Sequence, residues 1–309
     1  MKKRLFVIIF LIAALLPGCF SNYNPDHYET VTITDATGAS VSVPPNPKRV
    51  AVLFSSFSDI WLTAGGSIAI TVGESIERGF TDTSVILVDD GAGKTIDTER
   101  LIASNPDFII CSADIAAQLE AAKICRQAGL AAAAFRVECF DDYLSLLACF
   151  TEITGHPDRL QQYGASVKES IETMLQQYHN RNEEASILFV RAGSSARSTK
   201  AKTSENHFVC QMLKELGTHN IAEAAPVLLD GLSFEEILIQ DPAYIFITTM
   251  GDEEAAISYV TAVLQEPQWQ ALSAIKENRI IILPKDLFQY KPNSRWAEAY
   301  AYLINAMTN

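Results

Sequence analysis

The sequence has few of the residues on which metal and catalytic sites usually depend. Its histidines form no H-x-H or HExxH pattern and are scattered at His27, His156, His179, His207 and His219. None of its six cysteines belongs to a CxxC pair, which argues against a zinc site. The serine-rich stretch RAGSSARS lacks the G-x-S-x-G frame of a nucleophile elbow. We therefore predict no catalytic residues, no protein-bound metal and no intrinsic cofactor.

Basic residues are scarce relative to acidic ones. The chain has 24 Lys and Arg against 37 Asp and Glu, for a formal net charge of −13. An acidic surface repels phosphate backbones, so the charge argues against nucleic acid as a partner. Basic residues that do gather at one place in such a protein would indicate an anionic ligand.

Only one apolar run is long, and it lies at residues 5–16. It is too short for a permanent span, which needs roughly 20 apolar residues. The basic start MKKR, the short apolar segment and the small residues after it are typical of a secretory signal. The following LPGC resembles the bacterial lipobox, in which Cys19 receives a diacylglycerol and becomes the new N-terminus.

We accordingly predict a signal peptide at residues 1–18 and a flexible, hydrophilic tether at 19–28. The protein is expected on the outer face of the cell membrane, touching the bilayer through the lipid alone. Cleavage would remove three basic residues and no acidic ones, which takes the net charge to −16. The remaining cysteines are Cys111, Cys125, Cys139, Cys149 and Cys210. They are either buried thiols, or the four from Cys111 to Cys149 include a disulfide formed outside the cytoplasm.

Residues 29–157 have the pattern of a doubly wound α/β lobe. The opening VTITDATGASVSV predicts a hairpin, because two alternating strands flank a turn-forming DATG. Continuous apolar strands such as RVAVLF and DFIICS then alternate with helical segments, as in parallel sheets covered on both faces.

A long helix is predicted at residues 158–183, where apolar residues recur at helical spacing and Gly164 is the single glycine. The strand–helix alternation restarts after it and fills residues 184–309. We therefore predict two doubly wound α/β lobes joined by a single long helix. A stiff connection of this kind favours a small hinge motion. We also predict that the protein is a monomer.

Five stretches in order carry a resemblance to a family: TITDATGASVSVPPNPKRV, IDTERLIASNPDFIICS, MLKELGTHNIAE, LSFEEILIQDPAYIFI and the closing LSAIKENRIIILP. Together they resemble the binding proteins of ABC importers for iron complexes and cobalamin, the class III periplasmic binding proteins. The resemblance runs from about Tyr28 to the C-terminus. It implies capture of an iron siderophore, haem or a corrinoid between two lobes, and delivery to a permease dimer with its ATPase subunits.

The resemblance also implies two docking residues. One exposed glutamate on each lobe of such proteins pairs with arginines of the permease, and the matching positions are Glu99 and Glu235. Each follows a possible helix cap, Thr98 or Ser233, so the alternative is a carboxylate that merely favours the first helical turn. Glu236 competes with Glu235 for the second assignment.

The ligand should lie at the carboxyl ends of the strands, where the loops of an α/β sheet form a crevice. Arginine forks suit carboxylates, aromatic rings suit a planar ligand, and Met250 is either packing or a soft axial ligand for haem iron. The predicted ligand contacts are Ser55, Phe57, Arg78, Arg136, Arg191, Arg197, Met250, Tyr290 and Arg295. Lys200, Lys202 and Lys291 fall in the same loops.

Two other functions stay open at this point. One is capture of a free transition metal, and the other is hydrolysis by an exported enzyme that uses Ser194 or His207 in the same cleft. His207 is alternatively a residue at the start of a helix, and Trp296 is expected in the core beneath the last helix.

Overall fold

The computed structural model describes residues 30–91, 93–180 and 184–308. The signal peptide, the tether and Cys19 lie outside the described residues. Two five-stranded sheets and one two-stranded hairpin organise the described part of the chain. Within it, no helix has both the length and the apolar character needed to cross a membrane.

The hairpin pairs β1 (Val31–Thr34) with β2 (Ser40–Val43) in antiparallel register, which confirms the prediction from the DATG turn. The Asp35 carboxylate organises the turn by accepting hydrogen bonds from the amides of Thr37 at 2.8 Å and Ala39 at 3.0 Å. Its second oxygen accepts from the Ala134 amide at 3.0 Å and pairs with Arg126 at 3.2 Å. This buried carboxylate therefore ties the hairpin to the N-terminal sheet.

The N-terminal sheet is entirely parallel, with the strand order β5-β4-β3-β6-β7. Its strands are β3 (Val50–Val52), β4 (Ile70–Thr71), β5 (Ile86–Leu87), β6 (Phe108–Ser112) and β7 (Ala132–Phe135). The helices around it are α1 (Ser55–Thr63), α2 (Gly73–Glu77), α3 (Thr98–Ala103), α4 (Ala116–Gln127) and α5 (Phe140–Thr154).

This sheet is buried on both faces, as its continuous apolar strands require. Every residue of β3 and β6 is buried, and alternate residues belong to two different core clusters. On one face the rings of Trp61, Phe108 and Phe150 meet edge to face, with centroids 5.2–6.1 Å apart. The doubly wound arrangement thus follows from strands that must be covered by helices on each side.

A helical connection joins the lobes and consists of α6 (Pro157–Leu160), a π-helical turn (Gln161–Ala165) and α7 (Ser166–His179). The sequence predicted a regular helix here, and the wide turn is a difference from that prediction. Gly164 explains why it is tolerated, because a Cβ there would lie 2.6 Å from Leu144 of α5. The Tyr143 hydroxyl donates to the Tyr163 carbonyl at 2.9 Å, which satisfies a backbone acceptor inside the turn.

The C-terminal sheet has the order β10-β8-β11-β12, with parallel strands, and β9 pairs antiparallel with β8. Its strands are β8 (Ser186–Ala192), β9 (Lys200–Ala201), β10 (His219–Asn220), β11 (Tyr244–Thr249) and β12 (Ile280–Ile282). The helices are α8 (Phe208–Glu215), α9 (Val227–Asp230), α10 (Phe234–Gln240), α11 (Glu253–Gln265), α12 (Ser273–Lys276), α13 (Lys285–Phe288) and α14 (Trp296–Thr308). The fold-class prediction of two α/β lobes joined by one helix is confirmed.

The last helix, α14, packs against α7 of the connection between the lobes. The Tyr178 hydroxyl of α7 lies 3.8 Å from the Met307 sulfur of α14. Trp296 is 1% exposed and meets the Phe208 ring at 5.5 Å, so its predicted place in the core is confirmed. Between α13 and α14, residues 289–295 form what we call the return segment.

The five cysteines in the described residues are all free thiols. Cys111, Cys125 and Cys210 are buried, and burial raises the pKa of each thiol, to about 11 for Cys125. Of the two alternatives left by the sequence, the structure therefore shows thiols.

Candidate functional site

The two lobes meet at the carboxyl ends of their strands, where the return segment reaches across to the N-terminal lobe. Asn293 Nδ2 donates to the Ser56 carbonyl at 3.0 Å and to Asp59 Oδ2 at 2.9 Å. Lys291 Nζ lies 3.3 Å from Glu138 Oε2. Burial raises the pKa of Asp59, while the Asn293 hydrogen bond acts in the opposite direction. These contacts join the return segment of the C-terminal lobe to α1 and to the loop after β7 of the N-terminal lobe, and we take the cleft to be the region beside them.

On the N-terminal side, the Arg78 guanidinium makes a hydrogen bond and two cation–π contacts. Its Nη1 donates to Ser55 Oγ at 2.9 Å, and Ser55 Oγ donates in turn to Glu74 Oε2 at 2.5 Å. The guanidinium lies 4.0 Å from the Tyr290 ring centroid and 4.7 Å from that of Phe80. Burial lowers the pKa of Arg78 and the Glu74 charge opposes that shift, so the guanidinium stays protonated. Ser55, Arg78 and Tyr290 are thus brought together as the strand-end argument predicted.

The other N-terminal arginine, Arg136, is also paired. Its Nε lies 2.6 Å from Asp114 Oδ1, and both side chains are about half exposed. Lys291 lies nearby, because Asp114 contributes to its electrostatic environment and its Nζ is 4.8 Å from the Phe208 ring centroid. Burial lowers the pKa of Lys291, and the Glu138 carboxylate opposes this. Arg136 therefore lies at the cleft with its charge already compensated.

The C-terminal side is different, because three of its basic residues have no carboxylate partner in the part of the chain that the structure describes. Arg191 on β8 is directly in register with Lys200 on β9, and Lys202 follows two residues later. Burial lowers the pKa of Lys202, and the positive charges of Arg191 and Lys200 lower it further. Within the described ranges, none of these three side chains forms an ion pair. The cleft is therefore positively charged chiefly on its C-terminal wall.

Two predicted contacts lie elsewhere. Phe57 is 2% exposed and packs in the N-terminal core against the rings of Phe54 and Phe135, so its ring is not presented to the cleft. Its position on the buried face of α1 explains this. Arg295 is on the surface, where it is 2.7 Å from both Asp286 and Glu298. Those two ion pairs raise the pKa of Arg295 and leave its fork occupied.

Arg197 and Met250 both lie on the surface of the C-terminal lobe, and neither contacts the return segment in a hydrogen bond or ion pair among the described residues. Arg197 is exposed and lines a pocket of about 360 Å³ within the C-terminal lobe, together with Asp230, Tyr259 and Trp269. This pocket is separate from the contacts between the lobes. Met250 directly follows β11 at the strand ends and is 38% exposed.

Glu99 and Glu235 are both exposed in the first turn of a helix, α3 and α10 respectively. The cap of α3 is Asp97, whose side chain accepts from the Arg100 amide at 2.9 Å, and Thr98 is already helical. Thr98 is therefore not the cap that the sequence suggested. Ser233 does occupy the cap position of α10, and its hydroxyl lies 3.4 Å from Glu235 Oε2.

The residues considered for catalysis do not form a nucleophile–base pair. Ser194 is exposed in the loop after β8, and Ser195 Oγ bonds to Ser198 Oγ at 2.9 Å. His207 caps α8, with its Nδ1 accepting from the Val209 amide at 3.3 Å. The prediction that His207 begins a helix is confirmed, and the geometry gives no support to a hydrolase. In residues 30–91, 93–180 and 184–308 no set of three His, Cys, Asp or Glu side chains could hold a metal ion.

Several residues of the cleft were missed by sequence reasoning. Glu74, Asp59 and Glu138 balance the predicted basic residues, and Asn293 links the lobes. Thr248 lies beside Arg191 in the C-terminal sheet. A usable signal existed for Thr248 alone, since polar residues that end an otherwise apolar strand, YIFITT, mark the strand end at the crevice.

Comparisons with known proteins agree with this geometry. A family model described as periplasmic binding protein matches residues 50–287. Over 304 residues the chain is 21% identical to YvrC of Bacillus subtilis (strain 168), named as an uncharacterized ABC transporter substrate-binding lipoprotein. That match covers 93% of this chain and 92% of YvrC.

Solved structures show the same fold at low identity. The periplasmic heme-binding protein RhuT from Roseiflexus sp. RS-1, in apo form, superposes with a TM-score of 0.67 at 18% identity, covering 84% of this chain and 97% of RhuT. Staphylococcus aureus SirA, solved with staphyloferrin B, gives a TM-score of 0.67 at 14% identity, covering 90% of this chain and 97% of SirA. At these identities the likeness establishes the architecture.

Proposed function

This chain belongs to the periplasmic binding protein family, and we propose that it is the lipid-anchored binding component of an ABC importer for a chelated metal. The ligand class is an iron complex, either a siderophore or haem, or a corrinoid. The protein recognises this ligand between its lobes without chemistry and delivers it to a permease dimer with its ATPase subunits. The names of YvrC, RhuT and SirA support this class of function.

The observation that carries the proposal is the unpaired positive charge on the C-terminal wall of the cleft. Arg191, Lys200 and Lys202 lie together there, in a protein of net charge −13, without an ion-pair partner among the residues described. A free metal cation would be repelled by this wall. A chelate with outward-facing acidic groups would be attracted to it.

The test is direct binding. Mature protein with Cys19→Ser, to prevent lipidation, is first examined for a visible spectrum that would reveal co-purified haem or corrinoid. Tryptophan fluorescence is then titrated with haemin, cobalamin and ferric siderophores, and with zinc or manganese salts as the competing class. Saturable binding of a chelate is the expected result, whereas binding of the bare metal ions alone would refute the proposal.

Docking to the permease is proposed for Glu99 and Glu235. Their support is exposure on separate lobes at the first turn of α3 and α10, where carboxylates are free to meet basic residues of a partner. The double variant Glu99→Lys, Glu235→Lys is expected to abolish uptake in cells while leaving ligand affinity unchanged. Glu236→Lys tests the neighbouring residue, and Glu120→Lys on exposed α4 is the matched surface control. Loss of ligand affinity in the double variant would instead implicate the fold.

Anchoring is proposed for Cys19. Two acyl chains suffice for stable attachment, since each buried methylene contributes about 0.8 kcal/mol. Cys19→Ala should therefore release the protein from the membrane fraction, as followed by immunoblotting of fractionated cells. Full retention of the variant in the membrane would contradict the lipid anchor.

A further inference from the structure

We infer that the ligand carries at least two oxyanion groups that are not used by its metal, and that the C-terminal lobe alone binds them. The residues that would do so are Arg191, Lys200, Lys202, His207 and Thr248, which we call the β8 anion site. This inference rests on the proposed function and narrows it, because a neutral chelate would leave such a site unsatisfied.

Strand register places the first members of the site side by side. Thr248 of β11 and Arg191 of β8 are direct neighbours across parallel strands, and Arg191 is the direct neighbour of Lys200 across the antiparallel pair. Residues in register project from the same face of a sheet. The next register pair toward the core, Phe246 and Phe189, is fully buried on that face. A row of three polar side chains therefore lies at the cleft end of the sheet, next to a pair of buried phenylalanine side chains on the same face.

Two atoms of this row are buried without a hydrogen-bond partner among the residues that the structure describes. They are Nε of Arg191 and Oγ1 of Thr248, and Thr248 is only 1% exposed. Buried polar groups in native proteins are almost always hydrogen-bonded, and each exception needs an explanation. Because both atoms are covered in this structure, an oxyanion supplies acceptors to them only when the Arg191 side chain turns outward to meet it.

His207 adds a donor without adding charge. Its ring lies 4.6 Å from that of Phe189, and its Nδ1 accepts from the Val209 amide, so a neutral ring carries its proton on Nε2. Burial lowers the pKa of His207 to about 3, and the charges of Lys291, Arg191 and Lys202 contribute. The imidazole is thus a neutral N–H donor throughout the physiological range.

The chemistry of the set is one-sided. Arg191, Lys200 and Lys202 supply only donors and positive charge, and His207 supplies one N–H. Among residues of the described ranges, these three cations have no carboxylate within ion-pairing distance, whereas Lys291 is already shared with Glu138. Three uncompensated cations fit two or more carboxylates, such as the propionates of haem or the free acids of a carboxylate siderophore, and do not fit a neutral hydroxamate chelate.

The experiment compares matched ligands on the Cys19→Ser protein. Haemin is paired with its dimethyl ester, which keeps the ring and removes both carboxylate charges, and ferric citrate is paired with neutral ferrichrome. Cobalamin completes the panel. We expect an acidic chelate to bind, and its neutral counterpart to bind at least about tenfold more weakly, because charge-assisted hydrogen bonds are lost.

Variants then locate the effect. Arg191→Gln should weaken binding of the acidic chelate by about 100-fold, and Thr248→Val, which keeps the side-chain shape, by about three- to tenfold. Lys123→Gln on the exposed face of α4 is the control and should change affinity less than about twofold. Because the empty site holds unpaired groups, the thermal midpoint of ligand-free Thr248→Val should equal or exceed that of the parent. A lowered midpoint would show a structural role and overturn the inference.

The two proposals fail separately. If ferrichrome or cobalamin binds as tightly as the acidic chelates, or if the variants bind like the parent protein, the β8 anion site is refuted and the importer function stands. If none of the chelates binds, the importer function falls, and the inference falls with it.

Discussion

The two walls of the cleft treat positive charge in opposite ways. On the N-terminal wall, Arg136 is paired with Asp114 at 2.6 Å, and Arg78 shares its surroundings with Glu74 and Asp59. On the C-terminal wall, Arg191 and its lysine neighbours have no such partner among the described residues. Both sets lie at the carboxyl ends of parallel strands in lobes of the same design.

The difference shows that the position of a charged residue in an α/β sheet determines whether it lies at the cleft. Whether a carboxylate lies beside it determines whether it can bind a ligand. A compensated arginine contributes to the architecture, since its hydrogen bonds are made inside the protein. An arginine without an ion-pair partner can bind an anionic group of a ligand, because the free-energy cost of removing the guanidinium from water has already been met in the folded protein. Removing charges should therefore cost stability in the N-terminal lobe and affinity in the C-terminal lobe.

The largest effect on stability is expected for Asp35→Ala. The carboxylate is fully buried, is paired with Arg126 and accepts three backbone hydrogen bonds. Removing one partner of a buried ion pair costs about 3–5 kcal/mol, measured as the free energy of unfolding in urea. Glu120→Ala, at a side chain 60% exposed, should stay within about 0.5 kcal/mol. Equal effects of the two variants would show that the compensated charge at Asp35 contributes no more to stability than a surface carboxylate.

Asn293→Ala tests the link between the walls and should cost about 2 kcal/mol. The variant loses both hydrogen bonds to the N-terminal lobe and leaves the half-buried Asp59 without its donor. Asn293 also has φ 52°, a conformation that disfavours alanine by about 1 kcal/mol. Asn293→Gly separates the two causes, because glycine removes the bonds and adopts this φ freely. An alanine variant as stable as the parent in urea unfolding would show that the return segment does not couple the lobes.

A pH series should distinguish the lobes by about 1–2 kcal/mol. The folded pKa of His207, about 3, lies below the unfolded value of about 6.5, so its contribution to stability is present above pH 6.5 and is lost as the pH falls toward 3. Burial would raise the pKa of Asp35, but hydrogen bonds from Thr37, Ala134 and Ala39 lower it, so its contribution is lost only below its unfolded value of about 3.9.

Between pH 6.5 and 5, therefore, loss of stability reports on the C-terminal lobe. His207→Asn keeps a side chain that can cap α8 and removes the titration. The variant should show a flatter dependence of the thermal midpoint on pH over this range. Parallel curves for parent and variant would contradict the neutral state of His207 in the folded protein.

The smallest expected effect is a gain in the stability of the ligand-free protein. Lys202→Met should stabilise the ligand-free protein by up to about 1 kcal/mol, because it relieves burial of a charge beside Arg191 and Lys200. The same variant should bind an acidic chelate more weakly, which calorimetry would show. Lys214→Met, on the exposed part of α8, is the control. Loss of stability at position 202 would place Lys202 with the compensated residues instead.

Most of the fold was predictable because it follows from apolar periodicity. RVAVLF and DFIICS contain buried parallel strands, and DATG forms the turn of a hairpin, since these patterns leave few alternatives. The π-helical turn at Gln161–Ala165 was not predictable, because it depends on how closely Gly164 approaches α5. Local pattern carries no information on such a contact.

The cleft was predictable only in outline. Arg191 lies near the carboxyl end of β8, and Arg78 and Tyr290, which follow the short helices α2 and α13, are brought together beside the N-terminal sheet. Arg295 turns instead to Asp286 and Glu298, a choice made by loop conformation. Phe57 was misplaced because a single aromatic residue in a helix gives no indication of which face is buried.

The wide turn in the connecting helix makes its two ends independent in orientation. One extra residue in a turn rotates everything beyond it by about 100° around the axis. The turn itself can therefore lie against α5 at Gly164, while Ile171 and Tyr178 on α7 are buried against the body of the molecule, with Tyr178 beside α14. Deleting a single residue from Gln161–Ala165 would restore a regular α-helix and rotate the buried side chains of α7 toward solvent. The packing of α7 against the rest of the molecule therefore depends on the length of this turn.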